Sequence, residues 1–194
     1  MSDQLSHEEP GKAPLGRLRL PYLLRRSNLR FVWALFVFIN GLITIAILSA
    51  LAYLTGNSFV FPSLGPTALL FFMTPNATSV RPRSVLAGHA IGIVCGYLAL
   101  VVTGLTHAVS VVDGGVTWPR IIAAGLALAL TGALMVVTKA PHAPAGATTL
   151  IIALGFITKP VSLVVIEIAV GLLVLQAMLI NRLADVHHTK PFEY

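Results

Sequence analysis

Residues 59–74 read Phe59-Val60-Phe61-Pro62-Ser63-Leu64-Gly65-Pro66-Thr67-Ala68-Leu69-Leu70-Phe71-Phe72-Met73-Thr74. The stretch is apolar enough for lipid, but Pro62, Gly65 and Pro66 break it near its start, so it cannot be one continuous helix. An extended limb over residues 59–64, followed by a helix over 65–74, reaches about 35 Å at roughly 3.3 and 1.5 Å per residue. Bilayer hydrocarbon is about 30 Å thick. The pattern therefore predicts a membrane crossing built from an extended limb and a half-helix.

The motif returns further along the chain. Gly65-Pro66-Thr67-Ala68-Leu69-Leu70 is echoed by Gly146-Ala147-Thr148-Thr149-Leu150-Ile151, with Pro62 and Pro144 shortly upstream. The second copy lies in an apolar segment, 139–158, interrupted by Pro141, Pro144 and Gly146. Around the two broken segments stand four apolar runs, 31–54, 84–105, 119–138 and 161–182, each long enough to span a bilayer as a helix. The expected fold is all-α and transmembrane, with four long spans and two short broken half-helix segments. It divides as three plus three, with repeat 1 at about 31–105 and repeat 2 at about 119–182. Three crossings per half place the halves in opposite orientations, an inverted repeat of the kind that carries a transporter site near the bilayer midplane.

Composition supports a lipid solvent. Of 194 residues, 56% are hydrophobic and 10% charged, with seven Asp and Glu in all, too few to clothe a water-soluble domain. The net charge of +6 is positional: Lys12, Arg17, Arg19, Arg25, Arg26 and Arg30 precede the first span. They define a basic cytoplasmic leader over residues 1–30, read as a mobile or surface-lying segment and not as a signal peptide or a nucleic-acid arm. With six crossings, Arg81, Arg83, Lys139, Arg182 and Lys190 join the leader inside, and only Arg120 and Lys159 lie outside, which obeys the positive-inside rule better than four crossings do. Both termini, including a tail at 183–194, are then cytoplasmic, and the expected location is the inner membrane. The single cysteine, Cys95, excludes a disulfide framework.

A half-helix that starts within the membrane leaves backbone N–H groups unpaired and aims the positive end of its dipole at the bilayer centre, where both favour an anion. Gly65 and Gly146 permit close approach to the backbone. Pro66 suits a first helical turn, Ala147 is its counterpart, and Thr67 and Thr148 supply hydroxyls. Ionisable groups at membrane depth are functional candidates by default. His89 and Glu167 occupy similar places in the third and sixth crossings, and His142 lies on the approach to the second half-helix. Glu167 is a candidate to pair with a histidine or a basic residue and carry a coupled proton, and His89 and His142 are candidates to donate to the anion, with His142 also a proton carrier. Asn40 is a further polar group in the first span. Arg81 and Arg83 read as topology signals that also focus an anion electrostatically. Gly92-Ile93-Val94-Cys95-Gly96 has the small-xxx-small pattern of close helix packing, inside the fold or across a dimer. No metal-ligand spacing, nucleophile-base pair or phosphate loop is present, so neither a cofactor nor catalysis is expected.

These residues resemble the HPP family of integral membrane proteins, named for a His-Pro-Pro signature followed by Ala-Gly-Ala. Here the signature reads His142-Ala143-Pro144-Ala145-Gly146-Ala147-Thr148, with alanine for the middle proline. A second family-like stretch runs from Pro62 through Gly65, Thr67, Ala68 and Leu70 to Pro75, then Arg81-Pro82-Arg83-Ser84-Val85 and Gly88-His89. Arg81-Pro82-Arg83-Ser84 stands where the family tends to show Gln-Pro-Arg-Asn. The resemblance implies a small membrane transporter, and members have been linked to nitrite transport. The expectation is a transporter of a small monovalent anion, nitrite foremost, in a homodimer or larger assembly. The alternatives are a membrane scaffold and, third, a membrane enzyme acting on a lipid or quinone.

Overall fold

The structure, a computed structural model, describes Leu20 and residues 28–186. Among the described residues the elements are helices: α1 Leu29–Thr55, α2 Leu64–Met73, a 3-10 turn Thr78–Val80, α3 Pro82–Val102, the single turn α4 Val111–Gly114, α5 Trp118–Val137, α6 Pro144–Ala153 and α7 Pro160–Leu183. The helices α1, α3, α5 and α7, of 27, 21, 20 and 24 residues, are long and apolar enough to cross a membrane. The half-helices α2 and α6 have ten residues each, about 15 Å of helix. The all-α transmembrane fold with four long and two short segments is the one the sequence predicts.

Boundaries follow local chemistry. Asn28 caps α1 by accepting from the N–H groups of Arg30 and Phe31 at 3.0 and 3.3 Å, and Gly56 ends it in the left-handed region at φ 65°. Proline occupies the first turn of α3, α5, α6 and α7, where its missing N–H costs nothing. The long helices consequently start one or two residues before the expected 31, 84, 119 and 161.

Contacts between elements fix the direction of each limb. At one end of the bundle, Phe36 of α1 meets Phe72 of α2 edge-on at 6.0 Å, Asn181 of α7 donates to the Phe71 carbonyl at 2.9 Å, and Thr78 shares a cavity with Lys139 beyond α5. Leu20 donates its N–H to the Ala184 carbonyl there and is buried with Trp33 and Val186, so at this residue the leader is docked on the bundle. At the other end, the Val111 N–H bonds the Leu154 carbonyl and Arg120 bonds the Ala153 carbonyl. The limb 57–63 and α2 together thus run the length of α3 in the opposite sense, as do residues 138–143 and α6 beside α5. Six limbs pass end to end, and the described chain begins and finishes at the same end. The rest of the leader and residues 187–194, with His187, His188 and Lys190, lie outside the described residues.

Packing comes in two kinds. Large side chains fill the contact of α1, α2 and α7, with Leu48, Phe71, Phe72, Ile166, Val170 and Leu173 buried. Between α3, α5 and α6 the fillers are small: Ala99, Ala123, Ala127 and Ala153. Gly88, Gly92 and Gly96 make a groove along α3, where an added Cβ would stand 2.8 Å from His142 Cβ, 2.7 Å from Thr149 Oγ1 and 2.9 Å from the Thr149 carbonyl, respectively. The small-xxx-small pattern therefore serves packing inside the fold, where it seats α6. Outward-facing Phe31, Leu175 and Val136, exposed by 69, 67 and 79%, present the apolar surface that lipid requires.

Candidate functional site

The first turns of the two half-helices lie side by side and antiparallel in the middle of the bundle. The Ser63 hydroxyl is 2.6 Å from that of Thr148, and Thr67 Oγ1 is 3.1 Å from Nε2 of His142. His89 of α3 bridges the pair, with Nε2 3.2 Å from Thr67 Oγ1 and Nδ1 2.8 Å from Thr148 Oγ1. The two imidazoles lie 5.0 Å apart between ring centres, at 54°. Ser63, Thr67, His89 and Thr148 are wholly buried and His142 is 1% exposed. Such a buried polar cluster is tolerable only because its members satisfy one another.

The position of one hydrogen is dictated by geometry. His142 Nδ1 lies 2.7 Å from the Ser79 carbonyl, which can only accept, so Nδ1 carries a hydrogen and Nε2 of the neutral ring is an acceptor. Thr67 has one hydroxyl hydrogen and faces three groups that can accept it: that Nε2, the Ser63 carbonyl at 2.9 Å and, in one tautomer of the ring, Nε2 of His89 at 3.2 Å. Facing the neutral ring, the hydroxyl donates to His142. If Nε2 is itself protonated, it donates to Thr67, and the hydroxyl turns to the Ser63 carbonyl. Each contact is hydrogen-bonded in one arrangement or the other.

A cavity lies at the start of each half-helix. One, of about 470 Å³, is lined by His142, Pro141 and Ala143 at the start of α6, with Thr78, Met135 and Lys139. The other, of about 390 Å³, is lined by Pro62 and Gly65 at the start of α2, with Ile45, Val60 and Phe61. His142 of the cluster lines the first cavity, and Pro62 and Gly65, close in sequence to Ser63 and Thr67, line the second.

Of the residues singled out by sequence, Thr67, Thr148, His89 and His142 converge in one cluster. Gly65 lines a cavity, Pro66 is exposed on the outer face of α2, and Gly146 and Ala147 are half-buried on α6. Glu167, seven residues after Pro160 as His89 is after Pro82, makes no hydrogen bond to the cluster, and its Oε2 is buried without a partner. Arg81 and Arg83 are exposed, and Arg81 lines a separate cavity with Arg182 and Asn181 at the bundle end. Asn40 bonds the Phe36 carbonyl of its own helix at 2.7 Å. Sequence reasoning missed Ser63, whose place as the N-cap residue before α2 was the available signal. It also missed Arg120, read as an outer loop charge but 3% exposed, with its guanidinium donating to the Ala153 and Val109 carbonyls at 3.0 and 2.7 Å. That cation complements the C-terminal end of α6.

Long apolar helices around a buried polar centre define a polytopic α-helical membrane protein. Comparison with protein families matches residues 26–190 to the HPP transmembrane region. The chain belongs to that family. Neither the curated proteins nor the solved structures contain a match.

Proposed function

We propose that the protein is a transporter of a small monovalent anion, nitrite foremost, bound between the first turns of α2 and α6. The reading is carried by one observation: the two half-helix starts meet at mid-bundle, bridged by His89, with a cavity lined by residues at each start. Helix starts offer N–H groups and positive dipole ends to an oxyanion, Thr67, Thr148 and the imidazoles add donors, and Gly65, Pro66, Gly146 and Ala147 shape the backbone approach. The opposite running directions of the two halves support an inverted repeat, in which each cavity is the way in from one face of the membrane. His142 supplies the proton-coupling group.

In this reading the end carrying Arg81, Arg83, Lys139 and Arg182 is cytoplasmic, since cations concentrate there and Arg120 at the opposite end is spent on a helix terminus. The protein sits in the inner membrane as a homo-oligomer. The test is colorimetric nitrite uptake into proteoliposomes of the purified chain. Saturable uptake above empty liposomes, lost in His142→Ala at equal folded protein, is the expected result. Absence of uptake by well-folded wild-type protein would sink the nitrite reading.

A further inference from the structure

We infer that transport is electroneutral, with one proton taken up on Nε2 of His142 for each anion carried, and with the Thr67 hydroxyl as the switch that accommodates it. This rests on the transport reading and specifies its coupling. The cluster of Ser63, Thr67, His89, His142 and Thr148 contains no fixed charge, and none of its members is more than 1% exposed. An anion passing such a place without a compensating cation loses its hydration and meets only the partial charges of helix ends, hydroxyls and imidazoles, with no full counter-charge, which leaves a penalty in a low-dielectric interior. A proton that arrives with it removes the penalty.

His142, whose Nδ1–H is already fixed on the Ser79 carbonyl, offers Nε2 as the place for that proton. Protonation uses the Nε2 lone pair of His142 to form an N–H bond, now donated to Thr67 Oγ1 at 3.1 Å. The Thr67 O–H, released from its role as donor to the ring, rotates to the Ser63 carbonyl at 2.9 Å. Nδ1–H stays on the Ser79 carbonyl throughout. No hydrogen-bonded contact is lost, the ring gains one positive charge, and the proton leaves from the same nitrogen when the anion is discharged. The proton donor is the conjugate acid of the anion or water in the adjoining cavity.

The count of one follows from the second histidine. His89 lies with its ring centre 5.0 Å from that of His142, so a proton on each would place two cations together with no acid in the cluster. The ionisable groups around them are few. His89 and Arg83 are carried by α3, Arg120 by α5, and Glu167 and Arg182 by α7, which packs on α3 and α2, while α2, α6 and the 3-10 turn carry no Asp, Glu, Lys, Arg or His; Glu167 makes no hydrogen bond to the cluster. Arg83 is exposed, Arg120 is bound to carbonyls at the far end, and Lys139 is the charged residue lining the cavity beside His142.

The experiment uses proteoliposomes with pyranine inside to read proton influx, nitrite assayed in parallel, and valinomycin with potassium to set the membrane potential; empty liposomes correct for passive entry of nitrous acid. The expected result is a proton-to-nitrite ratio near one, acceleration by an alkaline interior, and an initial rate unmoved by potential. Thr67→Val should cut both fluxes together at least tenfold, and Thr67→Ser, which keeps the rotating hydroxyl, should restore most of the loss. Nitrite uptake driven by potential without proton entry would overturn the inference and leave anion transport standing. Failure of folded wild-type protein to take up nitrite at all would overturn both.

Discussion

Thr67 Oγ1 lies 3.1 Å from Nε2 of His142, a contact across 75 residues that ties the first turn of one half-helix to the approach of the other. The same oxygen serves Nε2 of His89 at 3.2 Å, so one hydroxyl is shared by both imidazoles. Thr67→Val keeps the shape and removes the only group that satisfies both ring nitrogens. It should destabilise the protein by roughly 1–3 kcal/mol, with Thr67→Ser recovering most of this. Thermal unfolding in detergent checks the pair, and equal melting of the valine variant and wild type would contradict the shared contact.

The glycine groove of α3 makes a sharp prediction about packing. Gly92→Ala puts a methyl 2.7 Å from Thr149 Oγ1 and 2.8 Å from the Ala145 carbonyl, atoms that cannot both move aside, and should cost about 1–3 kcal/mol. Gly132→Ala on α5 meets nothing within 4 Å and should gain roughly 0.5–1 kcal/mol from reduced backbone entropy. Melting temperatures that shift in opposite directions are the expected outcome.

Arg120 secures a helix end. Its two carbonyl partners, on Ala153 and Val109, hold the C-terminal end of α6 against the segment after α3. Arg120→Ala should lower stability by roughly 1.5–3 kcal/mol, while uptake per folded molecule is retained. A stable variant that fails to transport would instead place Arg120 on the anion's route.

Glu167 tests whether corresponding position implies corresponding role. It matches His89 by its distance from the helix-starting proline, but it makes no hydrogen bond to the cluster. Glu167→Gln should leave the nitrite uptake rate within about twofold of wild type, a change under about 0.5 kcal/mol in barrier. Loss of proton influx in this variant would bring Glu167 into the coupling machinery.

The spans were legible because lipid solvation demands long apolar runs, and the half-helices because proline and glycine inside such a run leave few alternatives. Thr67, Thr148, His89 and His142 were legible through the echo of residues 65–70 at 146–151 and through the rarity of histidine at membrane depth. Ser63 was not, since a serine beside a proline looks like any helix cap and its partner Thr148 is 85 residues away. Arg120 was not, because a cation at the start of a span reads as a topology signal whether it faces water or a neighbouring helix end. Glu167 shows the limit of counting along the chain: its place in α7 corresponds to that of His89 in α3, but sequence position does not say which neighbours a residue will meet.

The most direct test compares two buried threonines. Thr148 belongs to the cluster, bonded to Ser63 and His89, whereas Thr131, equally buried, bonds Thr149 at 2.9 Å and the Ala127 carbonyl, with no hydrogen bond to either histidine. The measurement is the initial rate of nitrite uptake by Thr148→Val and Thr131→Val at matched amounts of folded protein. Loss of at least about tenfold in Thr148→Val, equivalent to about 1.4 kcal/mol in barrier, with Thr131→Val near the wild-type rate, is the predicted result. Equal rates in the two variants would contradict passage of the anion through the cluster.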